Sequence, residues 1–314
     1  MPPAQMNTVA DIDTAIEPPG SLITQDGQIQ WAGLLFGPGT PYQIDAKGLT
    51  GWDDLPELDS ADVPKPAQHG SWPGAQWAKP RTVSATVWLL PDRPDQAQAV
   101  AQAFRAATGV NSGEQWLAVR LHGQTLACRA RVDRRAATTD RTYVTHGIAS
   151  VSIQWLCTDP RRLGITEQRA RTGLPTPEPG LLWEPDSGLE WPLEWGAAGS
   201  TGTITAVNAG DAPVNPVIEF RGPAETPSLT RLGDGRQLEY DIQLAESDVL
   251  AVDTVAGTVT LNGAASRLYT ATARSTPEQL FQLEPGVTSL AFRAGPASDD
   301  SRASVTVRWR DAHW

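Results

Sequence analysis

The sequence has few of the residues from which catalytic and metal sites are usually built. Its 314 residues include only two cysteines and four histidines. No histidine has a ligand partner at metal-binding spacing, and there is no HExxH helix, Walker loop or GxSxG elbow. We therefore expect no enzyme, no cofactor and no metal site. Because carboxylates are abundant, a glycosidase pair of acids stays open as a lesser alternative.

Long apolar runs are also absent. No stretch approaches the ~18 consecutive apolar residues of a membrane span, and residues 1–20 lack the basic and apolar regions of a signal peptide. We expect neither a membrane protein nor a conventionally secreted one, and we expect residues 1–20 to form a flexible arm. Cys128 and Cys157 are too few for a disulfide framework. Both fit inward strand positions, which favours small buried hydrophobic residues over redox or metal groups.

The net charge of the chain is −11, but basic residues are scarce in its first and last parts and acidic residues are scarce in its middle. Residues 1–95 carry 12 acids and 5 bases, residues 96–175 carry 5 acids and 11 bases, and residues 176–314 are strongly acidic. An acidic chain is a poor binder of phosphate backbones. The basic middle segment instead predicts contact with an acidic protein surface, such as another copy of this chain.

Glycine and proline are frequent, with 28 and 26 residues, which favours a turn-rich, mainly β protein. We expect an N-terminal β-sandwich-like domain with one α-helix over 21–175. A linker rich in proline and tryptophan is expected over 176–200, followed by a C-terminal β-sandwich over 201–314.

The N-terminal half predicts a hairpin over 21–36 with its turn at Asp26-Gly27, a short strand at 42–45, and a long loop over 53–80. Alternating residues after the loop place Val83, Ala85, Val87 and Leu89 on one buried face. Apolar residues at helical spacing then predict a helix over about 94–108. Three further strands are predicted at 116–121, 125–132 and 149–157.

Two groups of side chains in this half are candidates for a subunit or partner interface. Trp72 and Trp77 lie in the long loop, where they either fold back on their own domain or dock on a neighbouring subunit. The second group is a one-sided basic ridge, in which Arg129 and Arg131 share a strand face and Arg134 and Arg135 follow just beyond its end. A solvated sheet face is the alternative for this ridge.

The C-terminal half contains at least seven short strand-like runs separated by turns, which predicts an antiparallel sandwich or jelly roll. Before it, three tryptophans cluster near the domain junction: Trp183, Trp191 and Trp195. We expect burial between domains or against another chain. The alternative is a glycan platform of a carbohydrate-binding, lectin-like module, because exposed rings stack on sugars.

Six short motifs in the C-terminal half, in this order, resemble those of the distal tail (Dit-like) proteins of long non-contractile phage tails. Two positions depart from the usual pattern, namely Phe281 in place of Trp and Val287 in place of Asn. The matching segments are residues 207–212 with Pro216, 218–222, 248–254, 259–263, 281–286 and 303–310.

The resemblance implies a galectin-like or jelly-roll C-terminal domain and a structural, non-enzymatic role. It implies a virion protein of the siphophage tail tip or baseplate, assembled in the host cytoplasm as a ring, with six copies expected. The implied partners are the chain itself, the tail tube protein, the tail-tip hub or tail-associated protein, and the tape measure protein. DNA would pass through the lumen without specific binding, and no membrane is involved.

Overall fold

A computed structural model of the chain describes residues 18–111, 113–176, 199–296, 298 and 302–314. These residues form two compact units, here called the N-terminal unit (18–165 with 313–314) and the C-terminal unit (166–312). Both units consist mainly of antiparallel strands, which confirms the mainly β prediction. Most of the flexible segment expected over residues 1–20 and of the linker expected over 176–200 lies outside the described residues.

The N-terminal unit combines one extended sheet, a long helix and a ribbon of short strands. In chain order its elements are β1 (Ile29–Trp31), β2 (Leu34–Phe36), β3 (Tyr42–Thr50), β4 (Leu58–Ser60), β5 (Val63–Pro64), β6 (Ser71–Trp72), β7 (Gln76–Ala78), β8 (Arg81–Leu89), α1 (Ala97–Ala107), β9 (Gln115–Leu121), β10 (Gln124–Ala137), α2 (Arg141–His146), β11 (Ala149–Cys157) and β12 (Arg162–Gly164).

The main sheet runs in the order β2-β1-β9-β10-β11-β8-β3, and its end strands are consecutive in the chain. Near these ends the Gly37 N–H donates to the Tyr42 carbonyl at 2.7 Å. The Trp155 ring on β11 lies 6.1 Å from the Trp31 ring on β1 and 6.4 Å from the Phe36 ring on β2. Because strands far apart in the sheet order touch, the sheet curls around one core.

Strand β10 belongs to both halves of this curled sheet. Its first half pairs with β9, and from Arg131 onward it pairs with β11. The register shifts between Val132 and Arg134, so Asp133 forms a bulge. Bulges bend a strand and redirect its side chains, and this one lies where β10 changes partner.

The predicted core of this unit is confirmed. The inward residues of β8 that alternation predicted are all buried, as are Cys128 and Cys157. Helix α1 covers the core through Ala101 and Phe104, and the Phe104 ring lies 6.0 Å from those of Phe36 and Tyr42. The remaining large buried side chains of this core are Trp31, Trp52, Leu117, Ile153 and Trp155.

The predicted hairpin exists and Asp26-Gly27 does form a turn, but this turn does not join the two strands of the hairpin. Strands β1 and β2 are joined at Ala32-Gly33, whose φ angles of 48° and 78° suit a tight hairpin turn. The reason is a buried glutamine, since the Gln28 side chain accepts from the backbone N–H groups of residues 24 and 25. Residues 21–25 therefore do not form the first strand of the hairpin.

The C-terminal unit contains all seven predicted runs as strands. In chain order its strands are β13 (Gln168–Gly173), β14 (Thr203–Asn208), β15 (Val217–Arg221), β16 (Ala224–Glu225), β17 (Ser228–Arg231), β18 (Gln237–Glu239), β19 (Gln243–Leu244), β20 (Val249–Asp253), β21 (Thr258–Leu261), β22 (Ala265–Ser266), β23 (Gly286–Arg293) and β24 (Ser304–Trp309). The last strand of the chain, β25 (Ala312–His313), has one residue in each unit. Short 3₁₀ turns occupy Leu268–Thr270 and Glu278–Leu280.

Two main sheets form this unit, one of six strands (β13-β24-β15-β20-β21-β22) and one of four (β14-β23-β17-β18), and β16 pairs with β19 in a small two-stranded sheet. Phe220 of the first sheet lies 6.0 Å from Phe292 of the second, ring to ring, and 6.1 Å from Tyr240. All three side chains are fully buried. Aromatic contact between two inner sheet faces is the packing of a β-sandwich.

The motif residue Asn208 ties several segments of this sandwich together. Its Nδ2 donates to the carbonyls of Ala212 and Leu283, and its Oδ1 accepts from the N–H groups of Gly210 and Ala312. A Cβ atom on Gly210 would lie 1.8 Å from the Ala312 carbonyl oxygen. Only glycine fits there, so the motif is explained by backbone packing.

Replacing Phe104 with alanine is expected to lower the free energy of unfolding of the N-terminal unit by about 3–5 kcal/mol, because a fully buried ring would leave a cavity. Denaturant unfolding followed by far-UV circular dichroism measures this. Val110→Ala is the control, since Val110 is fully exposed. Equal loss of stability in both variants would contradict the assigned core.

Candidate interaction surfaces

Residues 53–80, predicted as a loop, instead form a β-ribbon, which we call the arm. Strand β4 pairs with β7 and strand β5 pairs with β6, all antiparallel. From residue 57 to residue 77 every side chain except Lys65 is exposed. The loop prediction failed because each strand has only two or three residues, too few for a periodic pattern.

Trp72 and Trp77 lie on the arm, and each is 59% exposed. Val63, directly opposite Trp72, is also 59% exposed. The Lys65 ammonium lies 4.7 Å from the centre of the Trp72 ring. More than half of each indole surface is thus not covered by its own domain. Exposed apolar clusters of this kind mark protein contact sites.

Buried arginines hold the root of the arm. Arg81 is 2% exposed, and its Nη1 donates to the carbonyls of Gly51, Trp52 and Asp54 at 2.6 to 2.8 Å. Arg162 forms an ion pair with Asp53. Our reading of the sequence missed both arginines, although Arg81 has the inward parity of the buried residues in β8.

The predicted basic ridge is only partly formed. Arg129, Arg131 and Arg134 lie on the outer face of β10, and Arg131 and Arg134 are exposed. The Arg129 guanidinium carbon lies 5.2 Å from the centre of the Trp116 ring. We call these three residues the arginine ridge. It includes an acidic neighbour, because Asp133 forms the exposed bulge between its members.

Arg135 does not share the outer face, which corrects our prediction that all four arginines form one side. Both Arg134 and Arg135 lie within β10 rather than beyond its end. The bulge places Arg135 opposite the inward Ile153, and its Nη1 donates to the carbonyls of Arg105 and Thr108. Arg135 therefore caps the carboxyl end of α1, where a cation is stabilising.

A cleft of about 620 Å³ lies beside the arginine ridge. The β1–β2 turn, the end of α1 and strands β9 and β10 form its walls, with Trp116 and Arg131 among the lining residues. Val110, at the end of α1, is fully exposed at its edge. Charged, aromatic and apolar groups thus meet on one continuous surface, which suits a protein partner.

A groove of about 570 Å³ in the C-terminal unit is the other candidate surface. Exposed Leu232 and Val287 line it together with Arg231, which is paired with Asp234 and Glu284. The hydrogen bond from Arg231 lowers the pKa of the Asp234 carboxyl to about 2. At neutral pH the Asp234 carboxylate in this groove is therefore ionised, and its charge is balanced by that of Arg231.

The expected glycan platform of Trp183, Trp191 and Trp195 lies outside the described residues. Within the described C-terminal unit the one tryptophan is Trp309, which is 7% exposed and donates from Nε1 to the Val207 carbonyl at 2.9 Å. It serves the core, so no described tryptophan of this unit offers a face to a sugar.

Among the described residues, no group of three or more His, Cys, Asp or Glu side chains is placed to hold a metal ion. Nor does any described helix have the length and apolar character required to span a bilayer.

The fold of the chain is also found in a solved structure. It is similar to that of the Dit protein (gp 19.1) of phage SPP1, described as a paradigm of the hub adsorption apparatus in phages infecting Gram-positive bacteria. The TM-score is 0.60 at 12% identity, over 91% of this chain and 98% of that one. Chains of the activated phage p2 baseplate, with Ca or with Sr, match over 90% of this chain and 96% of theirs, at TM-scores of 0.48 and 0.49 and 8% identity.

The sequence of the C-terminal unit matches a known domain family. Residues 209–313 match the family model of the siphovirus-type tail component, C-terminal domain. No curated protein matches the chain. The resemblance carried by the six motifs is thus confirmed: the C-terminal unit matches a siphovirus-type tail component domain, and the chain shares the fold of a Dit protein.

Proposed function

We propose that the protein forms a ring at the distal end of a long non-contractile tail, where it joins the tail tube to the tail-tip hub and the receptor-binding machinery. Six copies are expected. The role is structural rather than enzymatic. The observation that carries the proposal is the arm, because an exposed ribbon with two uncovered tryptophans needs a protein partner.

The arm and the arginine ridge are suited to each other across two copies. The arm carries five acids and two bases over residues 53–80, whereas the ridge is basic. Both lie in the N-terminal unit. When a surface patch on one copy fits a different patch on the next, the contact is heterologous and generates a ring if the rotation closes. Opposite charge also fixes the register of such contacts.

The remaining partners are proposed from the resemblance to tail proteins. In this proposal the tail tube protein, the hub or tail-associated protein and the tape measure protein contact the ring, in a virion tail tip assembled in the host cytoplasm. The groove of the C-terminal unit is a second surface for such neighbours. The chain's overall negative charge would let DNA cross the lumen without binding.

The solution mass tests the ring directly. We expect size exclusion with light scattering to give a species near six times the 33.6 kDa of one chain, with ring views in negative-stain images. A monomer at all protein concentrations, with no rings in the images, would contradict the proposal.

The double variant Trp72→Ser, Trp77→Ser is expected to weaken self-association about tenfold or more, since buried tryptophans dominate many interfaces. Its melting temperature should change little, because both rings are mostly exposed in the single chain. Sedimentation velocity over a dilution series measures the association. The control is Val144→Ser, an 82% exposed apolar residue outside the arm; comparable weakening there would remove the arm from the interface.

The double variant Arg131→Glu, Arg134→Glu reverses the charge of the exposed ridge while leaving Arg129 stacked on Trp116. We expect about tenfold weaker assembly at low salt and a smaller difference at high salt, because salt screens exposed charges. Light scattering at two ionic strengths measures both. The control is the double variant Arg93→Glu, Arg141→Glu, which makes the same charge change elsewhere on the unit and should assemble normally. If the ridge variant also assembles normally, the ridge is a solvated face.

A further inference from the structure

The two cysteines of the chain meet in the core of the N-terminal unit. Cys128 lies on β10 and Cys157 ends β11, and they are 1% and 0% exposed. Their Sγ atoms are 2.8 Å apart. Burial agrees with the sequence prediction of small hydrophobic residues. Their contact does not follow from it, because the two positions are 29 residues apart in the chain.

The strand register explains why the sulfurs meet. Arg131 lies opposite Leu156, so the register places Cys157 beside Ala130, and Cys128 is its diagonal neighbour on the same inward face. Diagonal neighbours of an antiparallel pair lie about 7–8 Å apart, and these two short side chains bring their sulfurs to 2.8 Å across that gap. A disulfide needs an S–S distance of about 2.05 Å, so the two sulfurs must approach by less than about 1 Å.

The surroundings influence how such a pair would react. Arg81 lies directly opposite Cys157 on β8, and its buried Nη2 has no hydrogen-bond partner. Its positive charge favours a thiolate, whereas the contact with Cys157 and burial raise the pKa of the Cys128 thiol above its usual range. The raised value prevails, so the thiol stays protonated and its exchange reactions are slow in the folded state.

We propose that Cys128 and Cys157 form an intramolecular disulfide once the protein is in an oxidising medium. Virion surfaces are exposed to such a medium. With a low-molecular-weight disulfide as oxidant, the thiolate of one cysteine attacks it and releases one thiol. The second cysteine then attacks the mixed disulfide and releases another thiol. The two cysteines are oxidised by two electrons in total, and the oxidant is reduced to two thiols that take up both protons.

The bond would close the chain from residue 128 to residue 157. This loop contains all three residues of the arginine ridge, the bulge at Asp133 and helix α2. A cross-link at its base restricts the unfolded chain, and the effect grows with loop length. The inference does not depend on the proposed ring, because both cysteines and the whole loop belong to one chain.

The test uses the full chain with oxidised glutathione as probe, added to the folded protein and, in parallel, present during refolding. Each sample is then unfolded without reductant, alkylated and weighed by intact mass spectrometry. We expect a mass lower by about 2 Da, no alkyl label and a melting temperature higher by about 5–10 °C than in reduced protein. Reduced protein should take two labels.

Cys128→Ala is the matched control, since it keeps one buried thiol and cannot close the bond. It should take one label or one glutathione, and oxidant should not raise its melting temperature. Two labels on wild-type protein after both treatments would overturn the proposal. So would a disulfide found only between chains on non-reducing gels, or oxidised protein that melts no higher than reduced protein.

Discussion

The buried guanidinium of Arg81 is the interaction on which the N-terminal unit depends most. A ribbon of strands only two or three residues long is barely stable in water by itself. Here its root is held by three carbonyl acceptors on one nitrogen, while Nε of the same side chain donates to the Pro160 carbonyl at 2.8 Å. One side chain thus joins the arm to the segment after β11 through two nitrogens of a rigid planar fork, a geometry that a lysine ammonium lacks.

The C-terminal unit depends on a different device, in which side chains stand in for backbone partners at turns. Asn262 has a φ of 52°, and its Oδ1 accepts from the Val249 N–H at 2.9 Å while its Nδ2 donates to Asp248. Asn208 does the same at the start of the sandwich. These asparagines belong to motifs that resemble the tail-protein family. The motifs therefore encode turns that bring two sheets into contact. Chains that share these motifs are expected to share the fold for this reason.

The elements that were predicted correctly are those with a periodic pattern of apolar residues. The alternation in β8, the apolar stripe of α1 and the strand runs of the C-terminal unit were all legible from neighbouring residues. The first hairpin turn was misplaced because the Gln28 side chain bonds to the nearby residues 24 and 25. The error in the ridge occurred where a long-range contact decided the local structure. The bulge at Asp133 separated Arg135 from the ridge, because register between distant strands has no local signal. The meeting of Cys128 and Cys157 was hidden for the same reason.

The arm and the arginine ridge, both in the N-terminal unit, are exposed surfaces of complementary kinds. The arm offers acidic groups around uncovered indoles, whereas the ridge offers guanidinium groups beside an aromatic-lined cleft. Neither surface complements itself, since an acidic ribbon would repel its own copy and so would a basic face. An isologous dimer through either surface is therefore disfavoured, and a head-to-tail contact between different surfaces is favoured. In the proposed ring, the charges of the arm and the ridge thus favour contacts between different surfaces of neighbouring copies.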